Sequence, residues 1–354
     1  GGIYQAIENI KSMSRTDTLS ISSPVLLGRY SDSENYYPVS DIQTILFGEN
    51  PTGNMTDYFH ENSYGSFTLT GDVLDWQTNP ETQSFYSTGG NGFQGGGARF
   101  ARDLAANNDQ YVNYGQYDND GPDGIPNSGD DDGYVDGLIV VHTGGGAETG
   151  DSDNIGSHRW NFNGAHSWYP GIMPDGEYVS NDPCTNGGFI KINDYIVLPE
   201  TSWNGTWGEA IIQIGVFCHE FSHILGLPDL YGGGNGIGYW GLMASGGYGG
   251  PDNHTEKPSH LCAWSKIQLG WVDPILVSDD IFNEAISEVE FNPQIYLVTS
   301  SGAPAWEYYL IENRQRAGFD EFLPGDGLCI WHIDASVSGN NNGNHLMVDL
   351  EEAD

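Results

Sequence analysis

The residues whose types and spacing carry chemistry are His219, Glu220, His223, Gly226, Pro228 and Asp229, in the pattern H-E-x-x-H-x-x-G-x-x-D. On an α-helix, imidazoles four residues apart share one face, about 6 Å apart along the axis. That spacing suits two ligands of one zinc ion. Glu220 points less directly at such a metal but reaches a water bound there, the position of a general base in metal-assisted hydrolysis. Gly226 can take a positive φ and turn the chain sharply, and Pro228 prevents simple continuation of the helix. Asp229 then arrives as a third ligand with a hard oxygen. Two imidazoles, one carboxylate and one water make an open tetrahedral site, the catalytic rather than the closed structural type. H-E-x-x-H alone is short enough to occur by chance. Here it follows the apolar helical run 211–217 and precedes a glycine turn and a carboxylate.

A second constellation is acidic. Asp118-Asn119-Asp120-Gly121-Pro122-Asp123-Gly124 is followed by Asp130-Asp131-Asp132-Gly133-Tyr134-Val135-Asp136. Carboxylates alternating with turn glycines suit a hard cation that takes six to eight oxygens. Asp118, Asp120, Asp123, Asp130, Asp132 and Asp136 are the candidate calcium ligands. Without a counter-ion so many carboxylates in a short stretch repel one another; the alternative is a solvated acidic loop. The stretch is not an EF-hand, because the twelfth-position Glu and the flanking helices are missing. His142, His158 and His166 are expected to be satisfied or exposed imidazoles rather than ligands of a second metal.

Charge narrows the function classes. Lys and Arg number 11 against 49 Asp and Glu, a net charge of −38 in 354 residues. No basic footprint exists to neutralise phosphates or anionic membrane surfaces, which argues against nucleic acid and lipid partners. The acidity favours solubility and calcium binding and hints at a saline habitat. No stretch is long and apolar enough to span a bilayer. No signal peptide is visible, so Gly1-Gly2 reads as the start of a mature or trimmed form, and the abrupt end at Asp354 leaves room for further domains. The length fits one large domain of two lobes, and a monomer is expected. Cys184, Cys218, Cys262 and Cys329 permit two disulfides in any of three pairings, and disulfides are the expectation; the alternative is four buried thiols. No C-x-x-C occurs, which disfavours a thiolate zinc site.

The elements that must position these residues follow from periodicity. Ile3, Ala6, Ile7 and Ile10 suggest a short amphipathic helix; residues 24–30 and 137–142 read as buried strands. Helices are expected at 41–47, at 56–65 with a closing glycine turn, and at 95–108. Residues 66–76 suggest a strand pair about Gly71, and 189–192 with 195–198 suggest a hairpin around Asn193-Asp194. Residues 150–185 read as a long loop. The histidine helix is expected over 207–225, a further helix over 258–271 capped by Gly270, and strands at 290–297, 307–313 and 327–332. No internal repeat is evident.

The string HEFSHILGLPDLY, followed by Tyr239-Trp240-Gly241-Leu242-Met243-Ala244-Ser245-Gly246-Gly247, resembles the metzincin type of zinc peptidase and, within it, the bacterial immune inhibitor A family of secreted metallopeptidases. DYFHENSYGSFTLTGDV, DGLIVVH, KIQLGW, YYLIENR and PGDGLCIWHID resemble that family as well, so the likeness covers nearly the whole chain and is weakest at 150–185. It implies an α/β (α+β) metzincin-like catalytic domain over 1–354, with an upper lobe of about 1–228 and a smaller lower lobe of about 229–354. A twisted sheet, a backing helix and a zinc-binding helix would build it. The implied activity is that of a secreted, extracellular zinc endopeptidase acting on proteins or peptides, with Glu220 as base toward a zinc-activated water. Calcium near the active site and substrate paired with an edge strand are implied too. Met243 would form the methionine turn beneath the metal, its thioether supplying soft bulk. Ser245 stands where some relatives place an oxyanion-steadying tyrosine two residues after the methionine, leaving Tyr248 as the nearest candidate for that role. The other readings are a zinc hydrolase of non-peptide bonds and a non-catalytic secreted surface or glycan-binding module. The last predicts a broken zinc site, whereas every motif residue is present.

Overall fold

In the computed structural model of the protein, residues 19–149, 153–202, 210–232, 236–299, 302, 304, 306–341 and 345–351 are described. The helix expected within 3–12 and the first residues of the one expected at 207–225 lie outside them. Two units form. One is built from Leu19–Thr56 and Thr68–Ile224, the other from Asp57–Phe67 and Leu225–Asp354. Residues 57–67 thus belong with the chain after 224, which a single division near 228 does not anticipate.

The first unit contains β1 (Leu19–Arg29), β2 (Phe67–Val73), β3 (Gln77–Thr78), β4 (Leu138–Gly145), β5 (His158–Asn161), β6 (Tyr178–Pro183), β7 (Phe189–Ile192), β8 (Asp194–Ser202) and β9 (Ala210–Ile211). Its main sheet runs β2-β1-β4-β8-β5, with β3 on β1 and β9 on β8. Strands β1, β4 and β8 are parallel and β5 closes the edge antiparallel. The three parallel strands read as unbroken apolar runs because both of their faces are buried. One face carries the helix Gly96–Asn108, whose Phe100, Ala101, Leu104 and Ala105 pack with Leu26, Leu138, Val140 and Val197. Fully burying a side chain such as Phe100 or Leu104 stabilises the fold by about 1.5–3 kcal/mol. Gly28 is what lets this helix close on β1: a Cβ there would lie 2.6 Å from the Phe100 ring.

Three sequence expectations give way here. Gly71 is not a turn; it lies inside the single strand β2, and a Cβ would meet Ser23 O at 2.4 Å and the Phe47 ring at 2.7 Å. The glycine marks a close approach, not a reversal. Residues 150–185 are not one loop, since they contain β5, the helix Phe162–Trp168 capped by Asn161 Oδ1, and β6. Nor do β7 and β8 form a hairpin: β7 pairs with β6 and β8 joins the main sheet. Asn193-Asp194 is a switch between sheets.

Glu200, at the end of β8, is fully buried. Its carboxylate accepts hydrogen bonds from the backbone N–H groups of Tyr36 (2.7 Å), Tyr37 (2.6 Å) and Gly144 (3.2 Å). One side chain thus ties the loop that follows β1 to the end of β4. Burial raises its pKa while the three amides oppose the rise. His158 on β5 sits between the Gly156 carbonyl and the Tyr195 hydroxyl. It packs where a Cβ on Gly97 would lie 2.6 Å from its ring.

In the second unit, β10 (Ile275–Val277), β11 (Tyr296–Val298), β12 (Glu307–Arg314), β13 (Gly327–Asp334) and β14 (Val348–Leu350) form a five-stranded sheet in that order. The expected helix over 258–271 is shorter, Ala263–Gln268, and the expected strand over 290–297 is largely irregular before β11. Behind the sheet Arg314 is fully buried and grips Asp320 through Nε (2.8 Å) and a terminal nitrogen (2.7 Å). Its other terminal nitrogen donates to Trp240 O (3.0 Å) and Glu312 (3.3 Å). Glu61 on the helix Met55–Asn62 accepts from His260, whose other ring nitrogen meets Lys266. Among the described residues, no helix is long and apolar enough to cross a membrane.

Two outcomes follow from this packing. Glu200→Gln leaves backbone donors unsatisfied and should cost about 1–3 kcal/mol in urea unfolding; an unchanged midpoint would remove the tie. His158 is held down to about 4 by burial, so it stays neutral in the fold while the unfolded chain takes up a proton below its ordinary pKa of about 6.5. Its contribution is intact above that pKa and is lost as pH falls from there toward 4. The melting-temperature lead of wild type over His158→Gln should therefore shrink as pH falls from neutral, and a constant lead would contradict it.

Candidate metal centre and active site

The helix Ile214–Ile224 buries Val216, Phe217, Cys218, Phe221 and Ser222 and leaves His219 and His223 half-buried on one side. Apolar residues on the other faces fix which way the two imidazoles point. Their rings lie 5.0 Å apart between centroids and stand nearly perpendicular, at 88°. The helix ends because Gly226 takes φ +97°, a conformation that glycine alone adopts without strain. No atom lies within 4 Å of where its Cβ would be, so the backbone angle, not space, demands glycine. Pro228 and Asp229 follow, and the ligand atoms of His219, His223 and Asp229 meet within 4.8 Å of one another.

Bonds of about 2.0–2.2 Å to one zinc ion require donors about 4 Å apart or less. The three donors fit such an ion with a small inward turn of their side chains. Two neutral imidazoles and a carboxylate are also the chemistry zinc selects for a catalytic site. Glu220, between the two histidines in the sequence, is buried to 8% exposure.

The backbone after Asp229 is held on both sides. Leu230 N–H donates to Met243 O (2.7 Å), which ties the Met243 turn to the segment carrying Asp229. Leu230 O accepts from the side chain of Asn340 (3.0 Å), a fully buried residue that also brackets Val348 through its N–H and its carbonyl. Sequence reading missed Asn340, because a Ser-Gly-Asn-Asn-Asn run carries the signature of a loop. Met243 is buried. Tyr248 ends the short 3-10 turn Ser245–Tyr248 and is half-buried.

The acidic stretch divides. Asp118, Asp120 and Asp136 bring carboxylate oxygens within 4.8 Å of one another. Asp123 and Asp130 instead organise an exposed turn, with Asp123 N–H donating to Asp130 (3.1 Å) and Ile125 N–H to Asp123 (2.8 Å). Asp132 accepts from Tyr134 N–H (2.8 Å). Buried Asp131 caps the loop from within, accepting from Gly121 N–H and Ser128 N–H. Asp118 is only 1% exposed, yet neither of its carboxylate oxygens has a hydrogen-bond partner. Burial first, then Asp131 and Asp132, pushes its pKa up to about 7, against weak opposition from the Gly133 amide. Asp136 is pushed up to about 8 by burial, then by Asp120 and Asp118, with the Asn119 amide opposing. A buried carboxylate without partner or counter-charge is costly, so this trio fits a hard cation.

His142 lies buried against Thr143 O, and His166 bonds to Met173 O. Neither they nor His158 join a metal-ligand group among the described residues. The expected disulfides do not form. All four cysteines are free thiols, Cys218, Cys262 and Cys329 buried and Cys184 half-buried. Cys218 packs as a small apolar side chain on the histidine helix, the role thiols commonly take in cores.

Comparison with known proteins identifies the family. The family model described as "Immune inhibitor A peptidase M6, catalytic domain" matches residues 29–272. Immune inhibitor A of Bacillus thuringiensis subsp. alesti is 29% identical over 296 residues, 74% of this chain and 40% of that protein. The pre-pro-metalloprotease PrtV of Vibrio cholerae serotype O1 is 28% identical over 256 residues, 65% of this chain and 26% of PrtV. The chain therefore spans well under half the length of these relatives. A match across most of the chain, which includes the histidine helix and its glycine turn, places the protein in the immune inhibitor A, peptidase M6 family of metallopeptidases.

Proposed function

We propose that the protein is a secreted zinc endopeptidase in which His219, His223 and Asp229 hold the metal and Glu220 is the general base. The convergence of those three donors at the end of one helix carries this reading. When bound, zinc would acidify a water and polarise the scissile carbonyl. Glu220 takes a proton from the attacking water, holds it in its buried position and delivers it to the leaving amine. Tyr248 is assigned to steady the developing oxyanion, and Met243 to support the segment bearing Asp229. The edge strand β5, exposed on one side of the sheet, offers backbone groups to an extended peptide by strand addition. Calcium occupies the Asp118, Asp120 and Asp136 site, supported by the two orphaned oxygens of Asp118.

Glu220→Gln should lower turnover of a casein substrate by about 100- to 10,000-fold while zinc content stays at one per chain. Turnover at the wild-type rate would remove Glu220 from the mechanism. Calcium at about 100 times its Kd should add about 2.7 kcal/mol, a Tm rise of roughly 5–10 °C for a unit of this size. Asp118→Asn should erase most of that rise in differential scanning calorimetry. An equal rise in both proteins would mean that calcium binds elsewhere.

A further inference from the structure

The acidic trio and the histidine helix meet at one glycine. Asp136 is followed by Gly137 and then by β4. A Cβ placed on Gly137 would lie 3.0 Å from Ile224 Cδ1 and 3.3 Å from both Ile224 Cγ2 and Phe221 Cε2. Ile224 is the neighbour of His223 in the last turn of the helix, and Phe221, three residues earlier, is fully buried. The backbone carrying a cation-site carboxylate is therefore the surface on which the end of the histidine helix rests. Nothing softer intervenes, because Gly137 has no side chain to absorb a shift.

The rest of the acidic loop transmits in the same direction. Asp136 N–H donates to Tyr117 O (2.9 Å), and Asn119 N–H donates to Asp136 Oδ2 (3.1 Å). Val135 N–H donates to Lys191 O (2.9 Å). Asp136 is thus anchored to the segment bearing Asp118 and cannot relax alone. Three carboxylates held within 4.8 Å can all be ionised together only around a cation. Without one they take up protons or push apart, and the rearrangement of Asp136 passes to Gly137.

We infer that the cation site of Asp118, Asp120 and Asp136 is a positioning device for the zinc-binding helix: its occupancy sets, through Gly137 against Ile224 and Phe221, how tightly His223 is held in ligand geometry. This inference rests on the calcium reading given above. Groups that orient metal ligands from outside commonly change metal retention by about 10- to 100-fold. The direction here is that calcium slows zinc loss.

The test uses the full chain, stripped of divalent ions and reloaded with one equivalent of zinc. Zinc transfer to a chromogenic chelator is timed with no addition, with millimolar calcium and with millimolar magnesium, and calcium binding is measured separately by calorimetry. Calcium should slow transfer by about tenfold and magnesium should not. Asp118→Asn should lose zinc at the fast rate in every condition. Ile224→Val, which deletes only Cδ1, should bind calcium normally with a reduced calcium effect on zinc, and Ile224→Ala should abolish that effect. If calcium binds wild type while zinc transfer is unchanged, the coupling is wrong and the calcium site stands. Absence of calcium binding overturns both. A full calcium effect in both Ile224 variants overturns the route through Gly137.

Discussion

The structure depends on where a chain of net charge −38 puts its carboxylates. An ionised carboxyl leaves water only if something replaces its hydration. Two replacements are in place, and one carboxylate lacks either. Glu200 and Asp131 are solvated by backbone amides. Asp320 and Glu312 are held by one buried guanidinium, Arg314. Neither oxygen of Asp118 has a hydrogen-bond partner, and that imbalance marks its surroundings as the candidate cation site. With so few Lys and Arg available, backbone amides do much of the work that ion pairs do in a balanced sequence.

The same economy shapes the catalytic region. Its three candidate ligands come from eleven consecutive residues, so the local helix and the glycine turn nearly suffice to assemble them. Stability of the assembly comes from further away. Gly137 supports the helix end in one unit. In the other, Met243 O and Asn340 hold the backbone after Asp229, while Arg314 holds the Trp240 carbonyl just ahead of the methionine turn. Short-range geometry gathers the candidate ligands, and long-range packing holds them.

How much was legible in the sequence follows from range. The histidine helix, its termination at Gly226, the buried strands β1 and β4 and the helix Gly96–Asn108 were legible, because each is announced by spacing within one element. The roles of Gly71 and Gly28 were not, since both answer to neighbours far away in the chain that only the fold supplies. Residues 150–185 misled by composition: Gly, Asn and aromatics conceal a short edge strand and a capped helix whose stability is tertiary. The candidate calcium ligands illustrate the boundary. Alternation pointed to the acidic loop, but only the folded turn separates Asp118, Asp120 and Asp136 from Asp123 and Asp130, which brace the chain instead. Cysteine parity suggested bridges, yet three of the four side chains are buried as free thiols.

Those thiols have a practical consequence. With three of them shut inside the fold, Cys184 is the one reachable nucleophile among the cysteines, and its sulfur lies 3.2 Å from where a Cβ of Gly133 would sit, beside the acidic loop. The chain thus carries a built-in attachment point for a fluorophore or spin label next to its acidic loop. It can be tagged there under mild conditions without engineering, and it can be produced without an oxidising folding step.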